Sequence, residues 1–112
     1  MKIQNRVKSN SDFQAIIQQG STFKNKVFVC HFLITKNRYV RIGIAVSKKR
    51  GNAVRRNLIK RQIRAICMAK IDFSQSYDLI VVARDSYNVD DYARMQDAFV
   101  ALLTTFERNL HA

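Results

Sequence analysis

One stretch constrains this chain more than any other. Ser47 to Arg64 holds eight Lys or Arg in eighteen residues and no Asp or Glu. Charge of one sign at that density must stay in water or meet a polyanion. From Ala53 to Lys70 the apolar residues return with a period near 3.6, which predicts an amphipathic helix. Val54, Leu58, Ile59, Ile63, Ala65, Ile66 and Ala69 form its expected core side. Arg56, Asn57, Lys60, Arg61 and Arg64 fill an arc of roughly 140° on the other side. Arg55 lies beside the apolar arc and must snorkel. Ser47 to Asn52 reads as a loop, with Asn52 as helix cap.

The rest of the chain reads as a scaffold for this helix. Residues 1–8 show no period and form a basic arm. Ser9, Asn10 and Ser11 offer caps for a short helix over about 11–19. There Phe13, Ile16 and Ile17 make an apolar stripe and Gly20 the stop. Ser21 to Lys26 is an edge strand or a loop. Val27 to Ile34 is a strand by its β-branched and aromatic content. Lys36-Asn37 supplies a turn, after which Tyr39 to Val46 returns as a strand. Val40, Ile42, Ile44 and Val46 share one of its faces. Tyr39, Arg41, Gly43 and Ala45 share the other, where Gly43 leaves room for a close neighbour. Tyr77 to Arg84 is a near-continuous apolar strand that belongs inside a sheet. Asn88 caps a last helix over about 89–109, with Asp90 and Asp91 in its first turn. Its stripe is Tyr92, Met95, Phe99, Leu102, Leu103, Phe106 and Leu110. The order predicts a single α+β domain over 1–112, a small sheet covered by helices.

Charge is divided along the chain. Residues 1–70 carry 17 Lys or Arg and one acid, whereas residues 71–112 carry three and seven. A basic face on a small domain points to nucleic acid ahead of an anionic membrane. No apolar run approaches the length of a membrane span, and the first residues lack a signal-peptide core. Cys30 and Cys67 stand in apolar surroundings without metal-ligand spacing, as expected of reduced, buried thiols in a cytoplasmic protein.

On the basic helix, Arg can clasp phosphate oxygens bidentately, Lys acts as a point charge, and Asn57 adds neutral donors. Lys48, Lys49 and Arg50 precede the helix N-terminus, itself favourable to anions. Phe13 and Ile17, one turn apart, either pack on the sheet or offer a platform for an unpaired base. His31 and His111 are not grouped. The eight acids show no paired placement for metal-assisted phosphodiester cleavage, and no triad or phosphate-binding loop is present. The residues therefore predict a nucleic-acid binder and leave RNA or DNA open. They favour a binding protein over a protein-only nuclease.

The run Ser47-Lys-Lys, Gly51-Asn-Ala-Val, Arg56-Asn, Lys60-Arg and Arg64, at this spacing, resembles the protein subunit of bacterial ribonuclease P. The resemblance extends to Arg6-Val-Lys, Asp12-Phe13-Gln14, the central hairpin, the strand Tyr77 to Arg84 and the last helix. It implies an α-β-β-β-α-β-α sandwich with a mixed sheet. The basic helix would lie in a left-handed crossover, against the usual right-handed rule. That is the class typified by the second domain of a small-subunit ribosomal protein. It also implies an activity. A catalytic RNA using Mg²⁺ removes the 5′ leader of precursor tRNA, and the protein binds both, with no membrane and no obligate protein partner. By position, the residues facing the RNA subunit are Lys48, Lys49, Asn52, Arg56, Asn57, Lys60, Arg61 and Arg64. Those of the leader cleft are Phe13, Ile17 and His31. The family usually has an aliphatic residue at Arg50 and a third basic residue at Leu58. Arg55, three positions before Leu58, is expected to supply that charge.

Overall fold

A computed structural model describes residues 2–110. Met1, at the start of the basic arm, and His111 lie outside them. Three helices and a four-stranded sheet follow in the order α1 (Asn10–Gln19), β1 (Ser21–Lys24), β2 (Phe28–Ile34), β3 (Arg41–Ala45), α2 (Ala53–Lys70), β4 (Tyr77–Ala83) and α3 (Tyr92–Leu110). The sheet order is β1-β2-β4-β3. β2 pairs antiparallel with β1 and with β4, and β3 pairs parallel with β4. The sheet is therefore mixed, and α2 is the crossover between parallel neighbours.

The strand after Lys36-Asn37 does not return along β2, so the turn makes no hairpin. Both faces of β4 are buried, and such a strand is most stable with both edges paired as well. It takes the place between β2 and β3. The chain from Thr35 to Val40 passes across its start, tied by Thr35 N–H to Ser76 O at 3.1 Å and Val40 N–H to Phe73 O at 3.2 Å.

Side-chain alternation divides the core into two layers. Phe28, Cys30, Phe32, Leu79 and Val81 pack with Ile59, Ile63, Ile66, Phe99 and Phe106 of α2 and α3. Ile80 packs on the opposite face with Ile16 of α1 and Val7 of the arm. The arm is not loose. Its 3₁₀ turn (Ile3–Asn5) leads into a bridge between Arg6 and Ile42. Asn5 is buried and donates from Nδ2 to Val40 O at 2.7 Å.

Helix ends differ instructively from expectation. Ser9 caps α1, its Oγ accepting from Asp12 N–H at 3.0 Å. Gly20 ends α1 in extended backbone rather than the left-handed conformation. Glycine is needed there for space, since a Cβ would lie 2.6 Å from Ile16 O and 2.8 Å from Phe32 O. Asn88 caps a turn and not α3, its Oδ1 accepting from Asp90 N–H at 2.9 Å. Asp90 and Asp91 therefore precede α3, and Tyr92 opens the helix half-exposed instead of lying in the core stripe.

Candidate nucleic-acid interface

Asn52 fixes the start of α2, its Oδ1 accepting from Arg55 N–H at 2.9 Å. The helix lies on the sheet through Ile59, Ile63, Ile66 and Cys67. This buried line is rotated from the expected one by roughly a quarter of a turn, at 3.6 residues per turn. Val54, Ala65 and Ala69 consequently face outward, and Val54 is 79% exposed. The rotation also turns the row Arg56, Lys60, Arg64 inward, so that each is half-buried, while Asn57 and Arg61 point to solvent. Arg55 is exposed and stands roughly 140–180° around the helix from Lys60 and Arg64. It does not join their row. Its side chain crosses Gly51 instead, where a Cβ would lie 2.9 Å from Arg55 Cγ. Lys48 and Lys49 are exposed in a 3₁₀ turn (Lys48–Arg50). Among the described residues none of Lys48, Lys49, Arg55, Arg56, Lys60, Arg61 and Arg64 has an acidic partner within ion-pair distance.

On the sheet face under α1, the register sets side chains in rows. Thr22, His31, Ile80 and Gly43 form one row, and Val29, Val82 and Ala45 the next. Phe13 lies on the first row. A Cβ on Gly43 would be 2.5 Å from Phe13 Cζ and 2.7 Å from Ile80 Cδ1, so the missing side chain is what seats the ring. Phe13 and Ile17 pack at the margin of the Val7–Ile16–Ile80 cluster and stay half-exposed. His31 Nδ1 is hydrogen-bonded to Thr22 Oγ1 at 3.0 Å. Partial burial lowers the His31 pKa from its usual value, which favours neutral imidazole. Val29, Val82 and Ala45 are also half-exposed, giving the face an open apolar floor.

The position of Phe13 is secured by ions. Asp12, its neighbour, meets Arg41 Nη1 at 3.4 Å. Arg41 grips Asp78 with Nε to Oδ1 at 2.9 Å and Nη2 to Oδ2 at 2.6 Å. The Asp78 side chain is 3% exposed. The hydrogen bonds that Arg41 donates to Asp78, and then the charges of Asp78 and Asp12, hold the Arg41 pKa above its usual value against the opposing effect of burial. This fork ties the start of α1 to β3 and β4.

The helix row and the cleft meet. A cavity of about 210 Å³ is lined by Arg6, Val7, Phe13, Ile42, Gly43, Ile44, Lys60 and Arg64. Arg64 Nε is buried with no hydrogen-bond partner among the described residues. A buried donor without an acceptor is costly, and an anion in the cavity would satisfy it. Sequence spacing put Lys60 and Arg64 in one site and Phe13 in another. The structure brings them together and adds Arg6 from the arm. It also adds Arg41 and Asp78, whose one signal was a charged residue within each of two apolar strands.

Cys30 and Cys67 are free and buried, and burial pushes the Cys67 thiol up to about 12 and Cys30 higher still. Among the described residues no three His, Cys, Asp or Glu stand together in a way that could hold a metal ion.

Comparison with known proteins gives a consistent answer. Residues 1–107 match the family model described as Ribonuclease P. A Ribonuclease P protein component of Streptococcus agalactiae serotype Ia is 41% identical over 103 residues, covering 92% of this chain and 94% of the relative. One of Streptococcus pneumoniae, strain Hungary19A-6, is 41% identical over 104 residues, covering 92% and 85%. Among solved structures, the Staphylococcus aureus RNase P protein superposes with a TM-score of 0.80 at 36% identity, covering 90% of this chain and 94% of that one. The Thermotoga maritima RNase P protein gives 0.77 at 28% identity, covering 88% and 94%.

Proposed function

This chain belongs to the ribonuclease P protein family, and from that premise we propose how it divides its work between two RNAs. The row Arg56, Lys60, Arg64, with Asn57, Arg61, Arg55 and the loop Lys48, Lys49, Asn52, holds the catalytic RNA. The cleft of Phe13, Ile17 and His31 holds the single-stranded 5′ leader of precursor tRNA. Leader removal is the chemistry of the RNA subunit and its Mg²⁺. The protein neutralises phosphate charge and fixes the leader relative to that centre. The whole chain acts as one RNA-binding unit, without a membrane or an obligate protein partner. The two buried free thiols suit the reducing cytoplasm.

One observation carries this reading: Phe13 and the unpaired cations Lys60 and Arg64 line one cavity. A ring that can stack an unpaired base beside cations that can neutralise phosphate brings the leader at Phe13 and the catalytic RNA on the row together at one cavity. The open apolar floor leading away from Phe13 gives the leader a path.

The test adds purified protein to catalytic RNA and precursor tRNA at low Mg²⁺. Leader removal should accelerate, and Phe13→Ala should lose most of the gain. RNA binding without acceleration would refute the reading in favour of a purely structural RNA-binding protein. Cleavage by the protein alone would place the chemistry in this chain.

A further inference from the structure

A separate cavity of about 330 Å³ opens near the C-terminal end of α2. It shares no residue with the Phe13 cavity. The arm runs between them, with Arg6 lining that one and Lys2 and Asn5 lining this one. Tyr39, Met68 and Phe73 form its apolar walls, and Arg38 stands with Lys2 at its rim. Three observations make it a built pocket. First, its walls are fixed around one residue of the chain. Val40 N–H donates to Phe73 O at 3.2 Å, and Val40 O accepts from Asn5 Nδ2 at 2.7 Å. Second, the walls are apolar while the mouth is basic. Tyr39 and Phe73 are half-buried, and Met68 is 47% exposed. Lys2 and Arg38 are exposed and have no acidic partner among the described residues. This suits a ligand with a flat apolar part and an anionic part. Third, the pocket offers a fixed acceptor. Asn5 is only 7% exposed, and its one side-chain hydrogen bond among the described residues uses Nδ2. Its Oδ1 is left to accept from a ligand.

We propose that this pocket takes one unpaired base of the catalytic RNA. The base stacks on Tyr39 between Met68 and Phe73, and an amino group on its edge donates to Asn5 Oδ1. The flanking phosphates meet Lys2 and Arg38. The need for an amino group points to adenine, cytosine or guanine rather than uracil. Position names the catalytic RNA as the occupant. Met68 is the next i+4 step after Arg56, Lys60 and Arg64, about 6 Å beyond Arg64 along α2. RNA lying along that row reaches the pocket without crossing the leader cleft. The inference rests on the row holding the catalytic RNA.

The experiment uses the full chain and the catalytic RNA without substrate. Dimethyl sulfate and kethoxal together modify unpaired adenine, cytosine and guanine. The unaltered protein should protect one such base that Tyr39→Ala leaves reactive, and Tyr39→Phe should keep the protection. Tyr39→Ala should weaken binding by roughly 5- to 150-fold, the range for loss of one stacked base. The slope of log affinity against log salt should not change, because no phosphate contact is lost. Met68→Lys tests the pocket at an exposed position, even if Tyr39→Ala disturbs the neighbouring chain. It adds a cation, so a surface that only gathers phosphate would bind more tightly. A base in the pocket requires the opposite, a several-fold weakening. Unchanged or tighter binding by Met68→Lys, or no base whose protection depends on Tyr39, would overturn the proposal. So would a dimer that Met68→Lys abolishes while affinity for catalytic RNA holds, which would give the pocket to a second copy. Unchanged affinity in Lys60→Ala would instead overturn the reading of the row on which this one stands.

Discussion

Gly43 shows how one missing side chain shapes the cleft. The Phe13 ring occupies the space a Cβ would need, with Ile80 on the other side. Gly43→Ala should therefore displace the ring and cost about 1–2 kcal/mol, a small overpacking penalty. Leader affinity should fall while catalytic-RNA affinity holds, measured by urea denaturation and by separate titrations of the two RNAs. Equal loss for both RNAs would mean that Phe13 is not a leader contact. His31 makes a second prediction. Its folded-state pKa is lowered by burial, so between that value and the unfolded pKa near 6.5 the unfolded chain binds more protons. Stability contributed by neutral His31 is thus complete above about pH 6.5 and is lost as pH falls through the window below it. Urea midpoints at pH 7.5 and 5.5 should differ more for the unaltered protein than for His31→Gln. An identical pH dependence would remove His31 as the cause.

At the scale of elements, α2 was largely legible and α1 only in part. The bounds of α2 follow from period and capping, and Ala53–Lys70 is what forms. Its buried face was displaced because Val54, Ala65 and Ala69 are apolar yet small or near an end. Residues of that kind fit either side, and the larger Ile59, Ile63 and Ile66 decide. What docks α1 was hidden for a different reason. Arg41 and Asp78 are 37 residues apart, and nothing local pairs them. Removing Arg41 leaves the Asp78 carboxylate buried without its bidentate partner, so Arg41→Ala should cost about 3–5 kcal/mol at neutral pH. Asp12 is half-exposed, and Asp12→Ala should cost about 1 kcal/mol or less. An apolar pair, Arg41→Met with Asp78→Leu, should recover much of the stability but leave α1 without its ionic anchor. Denaturant unfolding of the four proteins checks the order. A cost for Arg41→Ala as small as that for Asp12→Ala would show that the fork is not what holds the sheet and α1 together.

For the whole molecule, pairing order was the main element that local pattern misjudged. Sequence adjacency suggested β2 beside β3, whereas the deep burial of β4 sets it between them. That order matters for function. It makes β3 an edge strand, and the cavity of Phe13, Lys60 and Arg64 forms along that edge with Arg6 from the arm. The charge division along the chain becomes a division in space as well. Lys60 and Arg64 of α2 line the cavity beside Phe13, whereas α3 keeps its Arg94 paired with Asp91 at 3.2 Å. Affinity for catalytic RNA should then fall linearly with log salt, one released counterion for each phosphate neutralised. Lys60→Ala removes one unpaired cation and should reduce the magnitude of the slope by about 0.7–0.9. Arg94→Ala, which changes the net charge equally, should leave it unaltered. That contrast separates local neutralisation from a general effect of net charge. If both variants shift the slope alike, the RNA reads the total charge of the protein and the row on α2 has no special place.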